Sequence, residues 1–329
     1  MKYFITIAAA ICFLVLPNVL NSNYLLSIFI VIGIYTIVVM GLNILMGYAG
    51  QISFGQAAFF GIGAYAVAIL TTRFHWGTIP ALAAAMVLPA LIAAIIGKPT
   101  LTLREHYLAL ATLAVGLLVQ IFFNEGRELT GGPSGLTGIP YLAAGGFVFN
   151  RDIKFYYLVW TLVLIVFMGV RNLDRSRIGR SLKAIQDSEV AAEANGINAA
   201  YLKLQAFVFS AFLAGLSGGI YAYYVTFISP TPFGFNMSIQ FVLMAVIGGL
   251  GTIWGPVIGA GLVVALGEVL RWFVPLVLPR AGGEYQIIIF GLILVLAMIF
   301  KPEGLSAGWR RKVEKEEEEA ASFDAPVKT

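Results

Sequence analysis

Long apolar runs alternate with short polar breaks along almost the whole chain. Runs near 4–20, 24–46, 54–71, 78–97, 107–123, 155–170, 204–227, 237–254, 257–278 and 284–300 stand out. Each is close to the length of a bilayer-crossing helix, roughly twenty residues. The pattern predicts an all-α polytopic membrane protein with about ten transmembrane helices. The first run follows Lys2 and reaches Leu16 like a signal segment, but no small-x-small cleavage site precedes Pro17-Asn18, so it reads as a retained span. Residues 1–303 make one transmembrane domain. Lys301-Pro302-Glu303-Gly304 stops the last helix, and residues 304–329 form a cytoplasmic tail. Trp309-Arg310-Arg311-Lys312 is an interfacial anchor there. The acidic remainder reads as frayed helix or flexible chain.

One passage departs from this pattern. Arg171 to Lys203 is the only long polar stretch between spans, and it carries six Lys/Arg. Asp187 or Ser188 is placed to cap a two-turn helix over Glu189 to Asn195. Gly196 suits the left-handed position that closes a helix, and Asn198 caps the next one. The whole reads as a helix–turn–helix shaped to be gripped by another protein. The bland alternative is a basic loop that merely obeys the positive-inside rule; the caps, the small residues of Ala191-Ala192-Glu193-Ala194 and the Gly196 stop are more than such a loop requires.

Two other places break apolar runs with glycine: Gly41 to Gln56, and Ile247 to Pro256. Both contain a Gly-Gln/Thr-Ile step followed by an aromatic-Gly step, as a diverged internal duplication would. Irregular backbone at membrane depth survives only where protein or a water-filled cavity satisfies it, and transporters line substrate paths with such breaks. Asn43, Gly50, Gln51, Ser53, Gly55, Gln56, Gly251 and Thr252 are therefore candidates for a path crossed by a polar solute. Ordinary helix packing is the alternative for any one of them. Glu268 and Arg271, three apart near the end of a span, read as an interfacial ion pair; Glu268 meeting a substrate ammonium group is the other possibility.

Composition fits this picture. The chain is 59% hydrophobic and only 12% charged, too apolar for a soluble domain. Its single cysteine, Cys12, excludes an intrachain disulfide and a thiolate cluster, and His75 and His106 make no ligand pair. No metal site is expected. The net charge of +4 lies in loops, without the basic–aromatic stripe of a nucleic-acid binder. With both termini inside, fifteen of the twenty-one Lys/Arg fall on the cytoplasmic side, and the reverse topology leaves six there. Residues 124–154 then form the large external loop. Its Thr130-Gly131-Gly132-Pro133-Ser134-Gly135 run is no phosphate loop, because no Lys-Ser/Thr follows and no strand precedes it. A Gly-x-x-x-x-Gly-Lys-Ser/Thr motif is absent from all 329 residues, so no ATPase of that mechanism, and no enzyme, is expected.

Several stretches, taken in order, carry a family resemblance. They are Gly41-Leu42-Asn43 with Gly50-Gln51-Ile52-Ser53-Phe54-Gly55, Tyr107 to Ala114, Leu129 to Leu136, Gly179 to Ile185, Ala191 to Ile197, and Gly248 to Pro256. In these the chain resembles the permease family of branched-chain amino acid ABC importers, more the second (LivM) type than the first. Glu189, Ala191, Ala192 and then Gly196-Ile197 resemble the "EAA" coupling loop of importer permeases, with Val190 intervening. The resemblance implies a coupling contact at Arg180, Ala184, Glu189, Ala191, Ala192, Glu193, Gly196 and Ile197. It also implies a bacterial-type inner-membrane location and no cofactor of the chain's own, ATP being bound by two partner ATPase subunits. A paralogous permease, surrounding lipid and an external binding protein delivering Leu, Ile or Val complete the expected assembly. Urea, short-chain amides and other amino acids stay open as substrates, and an ion-coupled secondary transporter or a receptor stays open as a class.

Overall fold

The computed structural model describes residue 17, residues 22–100 and 105–277, and residues 291–292. The runs at 4–20 and 284–300 and the tail lie outside or almost outside the described residues. Eleven helices occur among them. They are α1 (Asn23–Gly47), α2 (Gln56–Thr72), α3 (Thr78–Thr100), α4 (Glu105–Glu125), the short α5 (Arg127–Thr130), α6 (Asp152–Arg175), α7 (Arg177–Asp187), α8 (Glu189–Ala194), α9 (Ala199–Val225), α10 (Phe235–Gly248) and α11 (Gly255–Val277). Six of these, α1, α3, α4, α6, α9 and α11, are long and apolar enough to cross a membrane. The protein is thus an all-α polytopic membrane protein.

Two expected spans come out short. α2 has 17 residues and α10 has 14. The run read as 237–254 stops being helical at Gly248, because Gly249 and Gly251 adopt positive φ angles of 106° and 72°. Left-handed glycines end a helix instead of continuing it. α6 is longer than its apolar run at 155–170, since Asp152 and the polar Arg171-to-Arg175 turn extend it at both ends.

α1 and α9 sit at the centre. α9 packs on α1, α2 and α3, while α1 also meets α6, α10 and α11. α1 is apolar on every side, and from Gly33 to Gly47 all but Tyr35 are buried. Such a helix has no face to give to solvent, so it takes the middle of the bundle. α4 is the opposite case: Leu110, Leu117, Leu118, Ile121 and Phe122 form an exposed apolar stripe on it.

Glycine sets how closely these helices approach. A Cβ on Gly215 of α9 would collide with the Ala85 carbonyl of α3, and one on Gly63 of α2 would strike Gly215 itself. Backbones that meet without side chains between them gain dispersion contact, which drives association where no hydrophobic effect acts. The 124–154 segment folds at the end of the bundle opposite α7. A strand β1 (Leu136–Thr137) pairs antiparallel with β4 (Phe227–Ile228) just past α9, and β2 (Ala143–Ala144) pairs with β3 (Phe147–Val148). The Thr78 hydroxyl at the start of α3 donates to the Ala143 carbonyl at 2.5 Å.

Gly215→Val should therefore lower both the yield of assembled protein and its thermal midpoint in mild detergent, overpacking costing about 1–3 kcal/mol. Gly169→Val on α6, where a Cβ meets nothing within 4 Å, is the control and should leave both unchanged. Wild-type yield and midpoint for Gly215→Val would contradict the packing.

Candidate functional site

The polar turn between α6 and α9 is capped at every junction. Ser176 accepts a hydrogen bond from the Gly179 amide at 3.1 Å, Ser188 from Ala191 at 3.3 Å, and Asn198 from Tyr201 at 3.0 Å. Of the two residues placed to cap α8, Ser188 takes the role. Gly196 has φ 81°, and a Cβ there would meet nothing within 4 Å, so backbone conformation alone favours glycine. Ile185, Ala192 and Ala199 join in a small core of their own, with Ala184, Ile197 and Leu202 packed against it.

The eight residues expected at a coupling contact divide in this geometry. Arg180, Ala191, Glu193 and Gly196 are exposed, whereas Ala184, Ala192 and Ile197 face the small core. Glu189 is exposed as well, but its Oε2 lies 2.7 Å from Lys203 Nζ, whose side chain is only 8% exposed. A nearly buried ammonium needs a partner, and Glu189 supplies it. Val190, the residue that interrupts the Glu-Ala-Ala spacing, is 79% exposed. It is an apolar knob on the outer face of α8.

The two glycine-rich breaks are joined. Asn43, fully buried in α1, donates from Nδ2 to the Thr252 carbonyl at 2.8 Å and accepts on Oδ1 from the Gly251 amide at 2.9 Å. Gly47 lies against the Gly251 backbone, where a Cβ would clash. The Thr252 hydroxyl donates to the Gly249 carbonyl at 2.7 Å and accepts from the Gly255 amide at 3.1 Å, capping the entry to α11. The sequence placed Asn43, Gly251 and Thr252 in one candidate group, and the fold brings them into hydrogen-bonding contact.

The first break also rests on α4, α9 and α10. The Phe54 amide donates to Thr112 Oγ1 at 3.1 Å, and a Cβ on Gly55 would lie 3.0 Å from the Thr112 carbonyl. The Ala57 amide donates to Ser238 Oγ at 3.1 Å. Gln56 Nε2 donates to Ser210 Oγ on α9. Gln51, Ser53 and Gln56 are all buried, and the carboxamide oxygens of Gln51 and Gln56 find no donor among the described residues. Gly50 has φ 67°, and a Cβ there would contact Gln186 of α7 at 3.5 Å. Lys183 Nζ stands 4.9 Å from the Tyr48 ring centroid and 2.5 Å from Asp174 Oδ1. The polar turn and the first break are thus in contact. Residue types alone left Thr112, Ser210 and Ser238 unnoticed, although polar residues inside apolar helices are a usable signal.

At the far end, Arg271 Nη1 lies 3.3 Å from Glu268 Oε1, as the spacing predicts, and the Tyr24 hydroxyl donates to Glu268 Oε2 at 2.7 Å. Among the described residues no three His, Cys, Asp or Glu side chains gather as a metal site would require.

The helical bundle with its two joined breaks and capped polar turn is that of a membrane transport subunit by comparison with known proteins. The model of the branched-chain amino acid transport system permease component matches residues 24–298, and the chain belongs to that family. It is 32% identical over 295 residues to the high-affinity branched-chain amino acid transport system permease protein LivM of Escherichia coli, covering 83% of this chain and 67% of that protein. The probable LivM permease of Methanocaldococcus jannaschii is 24% identical over 83% of this chain and 90% of its own. LivH of Salmonella typhimurium is 23% identical over 85% and 93%. No solved structure is matched.

Removing the carboxylate that faces Lys203 tests the internal pairing of the polar turn. Glu189→Ala should destabilise the purified protein by about 1–3 kcal/mol, between the values for exposed and buried pairs. Glu189→Gln combined with Lys203→Met should recover most of that loss. A thermal midpoint for Glu189→Ala equal to wild type would show that the pair contributes nothing.

Proposed function

We propose that this chain is a LivM-type permease subunit of an ABC importer that carries leucine, isoleucine or valine into the cytoplasm. ATP is hydrolysed by two separate subunits, one of which grips α7 and α8. A paralogous permease completes the membrane unit, and an external binding protein delivers substrate to the 124–154 side. The membrane domain has ten spans with both termini inside, in a bacterial-type inner membrane.

The observation that carries this reading is the docking turn. Its caps and inner core are satisfied within the chain, yet Val190, Ala191, Glu193 and Ala194 are left facing outward on one short helix. A turn that only linked two spans would gain nothing from presenting an apolar knob on a rigid base. The buried carboxamide oxygens of Gln51 and Gln56 support a path at the first break. Neutral acceptors stabilise an ammonium in transit without the deep well that a carboxylate would make. Affinity then resides in the external binding protein.

Reconstitution with both ATPase subunits, the partner permease and the binding protein tests the function. Leucine uptake should require ATP and resist an ionophore that collapses ion gradients. Ionophore-sensitive uptake without ATP would replace the importer with a secondary transporter, and uptake of urea or amides in place of leucine would reassign the substrate.

Val190→Asp should reduce copurification of the ATPases at least tenfold, since a carboxylate desolvates poorly against an apolar pocket, and leave bundle stability unchanged. Gly196→Val should act similarly through backbone strain, while Gly196→Asn, which tolerates a left-handed φ, should retain coupling. Full ATPase recovery with both Val190→Asp and Gly196→Val would remove α8 from the contact.

The path makes a separate forecast. Gln51→Leu and Gln56→Leu should slow uptake per assembled complex by roughly tenfold, the scale of one or two lost hydrogen bonds, with the binding protein's affinity unchanged. Gly55→Leu should instead lower the yield of assembled protein, because a side chain there would meet the Thr112 carbonyl, 3.0 Å from the added Cβ. Orientation is read in a Cys12→Ser background: Ser134→Cys should react with an impermeant thiol reagent applied outside intact cells, and Glu193→Cys should not.

A further inference from the structure

The geometry points to Asn43 as a positioning residue for transport, fastening the two helix breaks into one body that the docking turn moves as a unit. This rests on the permease reading above and adds a route from the ATPase contact to the path.

Three contacts in series carry it. α7 approaches the first break at two points, with Lys183 over the Tyr48 ring and with Gln186 beside Gly50, where an added Cβ would lie 3.5 Å from it. Asn43 lies in the last turns of α1 and Tyr48 caps its end, with its amide on the Ile44 carbonyl, so displacement of Tyr48 displaces Asn43. Asn43 then grips the second break with both ends of its carboxamide, accepting from Gly251 and donating to Thr252. A bidentate side-chain bond to a donor and an acceptor of one backbone segment fixes both position and rotation. Gly47 and Gly251 meet backbone to backbone beside it, leaving no room for relative sliding.

The chemistry of the second break makes this grip necessary. Gly249 and Gly251 hold positive φ angles, so α10 and α11 are joined by a segment with little intrinsic stiffness. Glycine loses more conformational freedom on ordering than any other residue. Without Asn43, the Gly251 amide and Thr252 carbonyl lose the partners that tie them to α1, and α7 would move the first break alone. Lys183 is itself held by Asp174 at the end of α6, which orients its ammonium toward Tyr48.

The test uses the full chain assembled with its partner permease in nanodiscs. Ile52 and Leu250 are exposed, one in each break, and accept spin labels as Ile52→Cys and Leu250→Cys in a Cys12→Ser background. The clamp predicts a narrow distance distribution whose mean is the same with and without ATP and the ATPase subunits. Asn43→Leu, which is close in size but lacks both hydrogen-bonding groups, should broaden that distribution in the permease alone. In the full importer it should raise ATP hydrolysed per leucine transported about tenfold while the ATPases remain bound. Asn43→Ala removes both groups with less side chain to accommodate, so it should broaden the distribution likewise and serve where the leucine variant does not assemble. A wild-type mean that shifts by several ångströms between nucleotide states would overturn the clamp. So would an unbroadened distribution with a wild-type coupling ratio in Asn43→Ala. The width measured without ATPases decides the clamp even if the importer reading fails, since that reading fails on ATP-independent uptake instead.

Discussion

A peptide group that leaves a helix inside a bilayer must find its hydrogen bond within the protein, because lipid offers none. This chain leaves a helix twice at comparable positions, after Gly47 and after Gly248. The Asn43 carboxamide meets part of that demand by presenting one donor and one acceptor at the spacing a neighbouring backbone would. Much else follows from it. α1 must be central, because only a fully buried helix can offer Asn43 to another break without exposing it. Gly47 must be bare, because the second break has to come within hydrogen-bonding distance.

The same demand separates two kinds of polar residue. Those that satisfy backbone, such as Asn43, Thr112, Thr252 and Ser238, are occupied by the fold itself. Those with spare acceptors, Gln51 and Gln56, are buried beside them yet incompletely engaged. A similar division runs through the polar turn. Ala192 packs in its interior and Glu189 pairs with Lys203, while Val190 and Glu193 present its surface. Neighbours in sequence therefore do different work, and a motif written as consecutive letters mixes the two.

The apolar pattern made much of this legible. Run lengths placed α1, α3, α4, α6, α9 and α11, and residue type placed the cap at Asn198 and the stop at Gly196 and narrowed the α8 cap to Asp187 or Ser188. Boundaries failed where glycine and hydrophobicity disagreed: Gly249 to Trp254 is apolar enough to count as span, but its left-handed glycines end α10 early. Orientation within the site was not legible at all. Nothing in the local sequence says that Glu189 turns back to Lys203, since the pair depends on how α8 folds against α9. Nor does any spacing announce that Asn43 meets Thr252, more than two hundred residues away. Such contacts are products of the bundle, not of any one segment.

Lys203 has a bearing on how the molecule is made. Its ammonium sits almost out of water at the foot of α9, a state that is costly for an unpartnered charge. The neutralising carboxylate comes from the helix synthesised just before it. During biogenesis the ribosome thus releases the counter-ion first and the charge second, so α8 is ready when α9 seeks its place among its neighbours. A nascent chain whose α8 has not formed carries an electrostatic fault at the membrane border. Order of synthesis and order of burial thus agree at this pair: the carboxylate is in place before the ammonium leaves water.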